Sequence, residues 1–510
     1  MFNLAKVVLG AVFAVLVAFY VQSSFSGVSH LGFLTLAAVF GAYMAMNIGA
    51  NDVANNVGPA VGAGALTLTG AIIIAAIFEA SGSLIAGADV VKTIKKGIIA
   101  PSAFSGDPMI FIYAMSAALL AAALWLNLAT WSKAPVSTTH SIVGGVMGAG
   151  IAAGGFAVVS WGTMGKIVAS WIISPVLGGA IAAIFLYIIK SQILSKDDMV
   201  SSAKKVVPIL VSLMVVAFGT YITLKGFKHV WKDITSVLSF LPQTKKPSFV
   251  VALAFGVIAG VVSYILIKPS IAKKVDSLAN DRASINKLFT IPLIFAAALL
   301  SFAHGANDVA NAVGPLAAIV DAVSNATVST KAAIPLWVMA VGGLGIAVGL
   351  ALFGPRLIKT VGTEITELDN MRAFSIMMAA AITVVIASQL GLPVSSTHIA
   401  VGGVFGVGFL REWLDRTNAK ESHKKLINAK NELDNLKSQL KEATQDSEKL
   451  SLIEAVSKKK KEVKKLKKVI RESYVKKGMI KKIVIAWVVT VPIAAILSAI
   501  IFFVIKGIGA

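Results

Sequence analysis

The stretch Gly49-Ala-Asn-Asp-Val-Ala-Asn-Asn-Val-Gly-Pro59 closes an apolar run that begins at Leu31. It places Asn51, Asp52, Asn55 and Asn56 where a membrane helix is ordinarily apolar. An ionisable side chain there is costly and marks an ion or substrate path. The same words return as Gly305-Ala-Asn-Asp-Val-Ala-Asn-Ala-Val-Gly-Pro315, identical at ten of eleven positions, with Asp308 256 residues after Asp52. A second pair accompanies the first: Pro135-Val-Ser-Thr-Thr-His140 and Pro393-Val-Ser-Ser-Thr-His398. The separation is 83 residues from Asp52 to Pro135 and 85 from Asp308 to Pro393. Two motifs duplicated at nearly constant spacing imply two homologous halves that build one site.

Composition sets the class. Of 510 residues, 56% are hydrophobic and 14% charged, against about 25% charged in soluble proteins. Mean hydropathy is +0.82. Long uncharged windows such as Leu31–Met46 and Val206–Leu224 indicate an all-α polytopic membrane protein. A β-barrel shows short alternating segments instead. The run Val7–Phe25 is long enough to span and lacks a small-x-small cleavage site, so it reads as an uncleaved span rather than a signal peptide. The absence of cysteine excludes disulfides and cysteine-ligated metals. The net charge of +22 lies chiefly in polar segments such as Arg411–Lys482. It reads as cytoplasmic positive-inside loops, with no nucleic-acid partner.

Apolar runs of spanning length lie near 7–25, 31–54, 64–87, 109–130, 158–190, 206–225, 248–268, 288–312, 333–352, 372–391 and 482–505. Each Pro-Val-Ser turn breaks one helix and starts another. Residues 109–155 and 372–411 therefore read as re-entrant hairpins with the motif at the tip; such backbone is tolerated at membrane depth where it lines a cavity or is buried in protein. The expected organisation is an extra N-terminal span (1–30), a first repeat (31–190), connecting spans (191–287), a second repeat (288–411), a cytoplasmic basic insert (412–481) and a last span (482–510). Counting spans from a cytoplasmic insert puts the N-terminus inside and the C-terminus outside. The two halves are then inverted, as in secondary transporters. This count places Lys92, Lys95, Lys96 and the basic 225–246 loop outside, against the positive-inside rule. In the insert, Leu426, Leu433, Leu436 and Leu440, then Val456, Val463, Leu466 and Ile470, recur at coiled-coil spacing. The Lys458–Lys461 tract is a candidate contact for anionic membrane lipid.

The site follows from the duplicated words. Gly49, Gly58 and Pro59, with Gly305, Gly314 and Pro315, are expected to interrupt the helices that carry Asp52 and Asp308. Freed carbonyls, a carboxylate and amide oxygens make an oxygen cage for a hard cation such as Na⁺. Its candidate ligands are Asn51, Asp52, Asn55, Asn307, Asp308 and Asn311. The consecutive hydroxyls Ser137, Thr138, Thr139 and Ser395, Ser396, Thr397 open helices whose N-termini present free N–H groups. Two such tips, meeting from opposite sides, suit a tetrahedral oxyanion; ordinary N-capping by Ser/Thr would account for one copy, and the two symmetric copies favour the oxyanion. No Arg or Lys lies within the motifs, so an anion beside two aspartates needs cations to enter with it, which is the physical basis of symport. His140 and His398 either orient the tips or carry a coupling proton. Glu79, an acid inside a span, is a gating or coupling candidate. Lys92-Thr93 and Lys359-Thr360 form a weaker echo that reads as surface anchors.

On both Gly-Ala-Asn-Asp-Val-Ala-Asn repeats and both Pro-Val-Ser-(Thr/Ser)-Thr-His tips, the chain resembles the inorganic phosphate transporter (PiT) family. The resemblance covers about 31–190, 288–411 and the last span. It implies cation-coupled uptake of inorganic phosphate across the cell (inner or plasma) membrane, inverted repeats, two hairpins and a homodimer. It also implies that phosphate meets Ser137, Thr138, Thr139, Ser395, Ser396 and Thr397, and that the cation meets the six Asn and Asp residues named above. Phe78-Glu79 with Ser81-Gly82 is similar to a family position where an acid matters for transport. No cofactor is expected beyond the co-transported cation, Na⁺ or H⁺, with Na⁺ favoured. The extra first span and the insert depart from the barest family pattern. Three other readings compete: a symporter of another oxyanion such as sulfate, an intramembrane hydrolase using Ser137, His140 and Asp52, and a passive anion channel, which has no need of buried aspartates.

Overall fold

A computed structural model describes all residues except 1–3, 133–135, 229, 277, 326–333, 365–367, 418–420, 444, 475–476 and 510. The first half contains α1 (Leu4–Ser24), α2 (Leu31–Asn51), α3 (Val53–Gly62), α4 (Leu68–Ala86), α5 (Ala88–Lys96), α6 (Pro108–Trp131), α7 (Thr138–Gly154) and α8 (Trp161–Ile189). The connecting part holds α9 (Met199–Lys225), α10 (Trp231–Val237), α11 (Phe249–Val275) and α12 (Arg282–Leu288). The second half follows as α13 (Thr290–Asn325), α14 (Leu336–Glu364), α15 (Asn370–Gln389) and α16 (Ser396–Thr417). The insert forms α17 (Glu421–Glu442) and α18 (Asp446–Tyr474), and α19 (Lys477–Gly509) ends the chain. Among the described residues, eleven helices are long and apolar enough to cross a membrane, matching the eleven apolar runs. The protein is an integral membrane protein.

The halves exchange partners. Helix α2 lies against α14 and α4 against α13, while α7 lies against α19 and α8 against α16. Lipid offers little hydrophobic drive between helices, so close packing through small residues does the work. A Cβ on Gly49 would sit 1.9 Å from the Ile346 carbonyl oxygen, and one on Gly305 2.1 Å from that of Glu79. The other two seams repeat this, with Gly148 against Ala495 and Gly406 against Gly179. Glycine thus sets the approach at all four seams, three between the halves and one between the first half and the last span, including both Gly-Ala-Asn-Asp words.

The helix interruption predicted at both aspartates occurs at one. Asp52 is the single residue between α2 and α3, in near-helical conformation (φ −83°, ψ −35°). Helix α13 runs unbroken through Asp308 and Pro315. One missing N–H does not outweigh a helix buried on nearly every side. Pro59 and Pro315 still act locally, because each lacks the N–H that would bond the carbonyl four residues earlier, on Asn55 and Asn311.

Two other expectations change. Thr93 is no surface anchor: its Oγ1 donates to the Gly391 carbonyl at 2.6 Å. Gly391 has φ +68°, a left-handed turn that favours glycine, just before the second tip. Lys95 is buried and pairs with Asp321 at 3.1 Å. Lys92, Lys225 and Lys228 converge on Asp89. The basic segments that sat awkwardly against the positive-inside rule are thus partly neutralised by Asp89 and Asp321. Thr360 and Pro135 lie outside the described side chains. In the insert α17 packs on α18, with Ala429 and Leu433 buried, Leu426, Leu436 and Leu440 half-buried on the same face, and Lys459 paired to Glu432 across the helices.

Candidate functional site

The two tips start α7 and α16, and the two Asn-Asp words ride on α2–α3 and α13. Their side chains meet in one buried cluster. Asp52 accepts from a hydroxyl of each tip: Thr138 Oγ1 at 2.6 Å on Oδ2 and Thr397 Oγ1 at 2.5 Å on Oδ1. Thr138 Oγ1 also lies 3.3 Å from Asp308 Oδ2. The amides cross between halves. Asn55 Nδ2 donates to Thr397 Oγ1 at 2.8 Å, and Asn311 Nδ2 to Thr138 and Thr139 Oγ1 at 3.1 and 3.2 Å. Thr139 donates to the Val394 carbonyl at 2.9 Å, binding one tip to the other.

Asn51 and Asn307 stand one step back. Asn51 Nδ2 donates to Thr130 Oγ1 at 2.9 Å, near the end of α6. Asn307 Nδ2 donates to Ser388 Oγ at 2.9 Å, near the end of α15, and to the Leu392 carbonyl at 3.0 Å. Its Oδ1 accepts from Val394 N at 3.2 Å. Both hold the hairpin turns rather than pointing at the centre. Ser137 and Ser395 act as N-caps here, accepting from the backbone N–H of His140 and His398 at 3.1 and 3.3 Å. Buried acceptors are left over: Asp308 Oδ1, Asn311 Oδ1, Asn56 Oδ1 and Ser396 Oγ have no hydrogen-bond partner among the described residues. Orphaned buried oxygens are expensive, and a cation that they ligate removes the cost. One ligand atom each from Asp52, His304 and Asp308 lie within 4.8 Å of one another.

His304 and Asn56 belong to the site although the motifs did not single them out for a role. Glu79 Oε2 lies 2.7 Å from His304 Nδ1, and Asn56 Nδ2 donates to Glu79 Oε1 at 2.7 Å. His304 Nε2 is 2.9 Å from Asp308 Oδ2, at ion-pair distance without a well-aligned hydrogen bond. A continuous polar line therefore runs Asn56–Glu79–His304–Asp308–Thr138–Asp52–Thr397–Asn55. No lysine or arginine pairs with any of its three carboxylates among the described residues. A signal for His304 was present: a histidine four residues before Asp308 shares its helix face.

His140 and His398 face the other way. Their rings are 4.5 Å apart, edge to face, with Trp171 stacked at 3.8 Å on the first and Trp487 at 3.6 Å on the second. Trp171 Nε1 donates to the Pro393 carbonyl at 3.2 Å. The histidines thus key the tips into α8 and α19. Ser137, His140 and Asp52 do not form a triad, since the serine is spent as a cap, the imidazole is packed between aromatic rings, and the carboxylate is held by threonines.

A family model described as PHO4, phosphate transporter family, matches residues 48–498. Two relatives carry the description "Putative phosphate permease". One, from Helicobacter pylori (strain ATCC 700392 / 26695), is 52% identical over 489 residues, spanning 92% of this chain and 89% of that one. The other, from Pyrococcus abyssi (strain GE5 / Orsay), is 35% identical over 476 residues, spanning 93% and 98%. A solved structure described as "The sodium-dependent phosphate transporter" is similar with TM-score 0.74 at 32% identity, covering 94% of this chain and all of that chain.

Proposed function

Because this chain belongs to the phosphate transporter family, we propose that it takes up inorganic phosphate by symport, driven by a Na⁺ gradient. The family is one of transporters, and the chain is not an enzyme. One observation carries the coupling: both hairpin tips spend their threonine protons on Asp52. A hydroxyl has one proton to donate. While Thr138 and Thr397 serve Asp52, they cannot serve a phosphate oxygen. A cation that takes over the Asp52 oxygens, with Asp308 and Asn311 as further ligands, releases both hydroxyls. The released hydroxyls, Ser396 and the N–H groups opening α7 and α16 then receive the anion. Cation first and phosphate second is the order this exchange implies, and the cation's charge offsets that of the two aspartates.

The inverted relation of the halves, a cytoplasmic N-terminus and insert, an outside C-terminus, residence in the inner or plasma membrane and a homodimeric assembly belong to the same proposal. A second reading has its own support: the Glu79–His304–Asp308 line is a titratable path, so H⁺ could drive the same exchange. Labelled phosphate uptake into proteoliposomes, with Na⁺ and pH gradients imposed separately, decides between them. Uptake that follows the Na⁺ gradient is expected. Uptake indifferent to both gradients, in folded protein, overturns the symport reading, and sulfate outcompeting phosphate overturns the substrate.

A further inference from the structure

The turn that leads from α15 into the second tip is held from outside its own hairpin. Four consecutive backbone carbonyls there each accept a hydrogen bond from a side chain on a different helix. Thr93 Oγ1 of α5 donates to the Gly391 carbonyl at 2.6 Å, and Asn307 Nδ2 of α13 to that of Leu392 at 3.0 Å. Trp171 Nε1 of α8 donates to the Pro393 carbonyl at 3.2 Å, and Thr139 Oγ1 of α7 to that of Val394 at 2.9 Å. A turn at membrane depth has no water to satisfy its backbone, so each carbonyl needs a protein donor. Any donor meets that need, including one from the hairpin itself. Here three of the four come from the first half, which also carries Asp52.

Inside the hairpin the turn is tied through N–H groups. Gly391 N donates to the Ser388 carbonyl at 3.1 Å and Leu392 N to that of Ala387 at 2.9 Å. Pro393 has no N–H to give, and Val394 N goes to Asn307 Oδ1 at 3.2 Å. Ser396 and Thr397 follow Val394 by two and three residues. Their place relative to Asp52 is therefore set by donors on other helices. Asn307 and Thr139 belong to the duplicated words. Thr93 and Trp171 do not, and among the described residues neither hydrogen-bonds to the cluster around Asp52.

We propose that Thr93 and Trp171 are positioning residues for phosphate. Acting through the Gly391 and Pro393 carbonyls, they fix the second tip so that Ser396 and Thr397 meet the anion, and they touch neither ion themselves. The assignment rests on the use of the tips for phosphate proposed above, whereas the hold on the turn is measured independently of it.

Three variants of the full-length protein test it. Thr93→Val keeps the shape and removes the donor, and Thr93→Ser returns the donor. Trp171→Phe keeps a ring beside His140 and removes the indole N–H. Two quantities are read on purified protein: equilibrium binding of labelled phosphate at saturating Na⁺, and hydrogen exchange, by mass spectrometry, of peptides covering 388–400. Thr93→Val and Trp171→Phe are each expected to weaken phosphate binding about three- to tenfold, the effect of one neutral hydrogen bond, and to speed exchange at the start of α16. Thr93→Ser is expected to restore both. A contact with only a structural role lowers the unfolding midpoint and leaves the phosphate affinity of the folded protein in place. Unchanged exchange, or faster exchange with unchanged phosphate affinity, in Thr93→Val and Trp171→Phe overturns the proposal; should one of them fail to fold, the other decides. Unaltered protein that binds no phosphate sinks the transport reading instead, and exchange alone then decides whether the two side chains hold the turn.

Discussion

Replacing Asp52 by Asn tests the exchange of hydroxyl protons most directly. The carboxylate holds Thr138 and Thr397 at 2.6 and 2.5 Å. Hydrogen bonds to a charged group contribute about 1.5–3 kcal/mol each, against about 0.5–1.5 for neutral pairs. Neutralising Asp52 therefore loosens the two hydroxyls by about 2–3 kcal/mol together. At about 1.4 kcal/mol per factor of ten, phosphate affinity without Na⁺ should rise by about 30- to 140-fold. Na⁺ affinity moves the opposite way, since removing one unit charge about 4 Å from the ion costs about 4 kcal/mol at an effective dielectric of 20, or about a thousandfold. Asp308→Asn should behave differently. Its carboxylate lies 3.3 Å from Thr138 and leans on His304, so Na⁺ affinity falls while phosphate affinity without Na⁺ changes little. Equilibrium binding of labelled phosphate, titrated with and without Na⁺, reads both quantities without requiring transport. An Asp52→Asn protein that binds phosphate no better without Na⁺, and keeps its full Na⁺ stimulation, refutes the reasoning.

Three further outcomes are expected. Gly305→Ala drives a Cβ to 2.1 Å from the Glu79 carbonyl oxygen; because backbone cannot swing aside, about 1–3 kcal/mol or more is lost and thermal unfolding shifts down, whereas Gly162→Ala, with open space around it, leaves the midpoint in place. Lys95→Met takes from the buried Asp321 carboxylate its lysine partner at 3.1 Å and costs about 3–5 kcal/mol, and adding Asp321→Leu should restore most of it, which a double-mutant cycle in denaturant unfolding measures. Burial pushes the Asp89 carboxyl up, but hydrogen bonding to Lys225 and the charges of Lys225, Lys228 and Lys92 outweigh it and hold the group well below its ordinary 3.8. A depressed folded value contributes stability above the unfolded value and loses it as pH falls, so the unfolding midpoint should drop below about pH 4, and Asp89→Asn should flatten that acid limb.

The sequence made the spans and the meeting of the four motifs legible because both rest on strong signals. Eleven apolar runs need no tertiary information, and polar words in a membrane helix have few uses. What escaped it was local or unpaired. Lys95 reads only as one of several basic residues left outside by the span count, because nothing nearby in the chain announces Asp321, 226 residues later. The unbroken helix through Asp308 escaped because a proline is read as a breaker, whereas packing around α13 holds the helix together. Ser137 and Ser395 are expected among the phosphate ligands, and the structure shows in addition that, as the residues just outside their helices, they cap α7 and α16.

The residues without twins carry a further lesson. Between the two Asn-Asp words one position differs: Asn56 stands where Ala312 does. His304 precedes its Gly-Ala-Asn-Asp word where Ile48 precedes the other. Glu79 is the acid that these two unmatched residues bracket, at 2.7 Å on each side. Duplication therefore supplies the frame, namely two aspartates, two crossing amides and two hydroxyl tips, while an unduplicated arm makes the aspartates unequal. Asp52 is held by one hydroxyl from each tip. Asp308 is tied through His304 to a second acid that is buried with it. If the frame were all, the two halves would offer a cation the same ligands twice. In the exchange proposed above, this inequality assigns release of the tips to Asp52 and the anchoring of charge behind them to Asp308, which is what would give a nearly symmetric frame an order of binding.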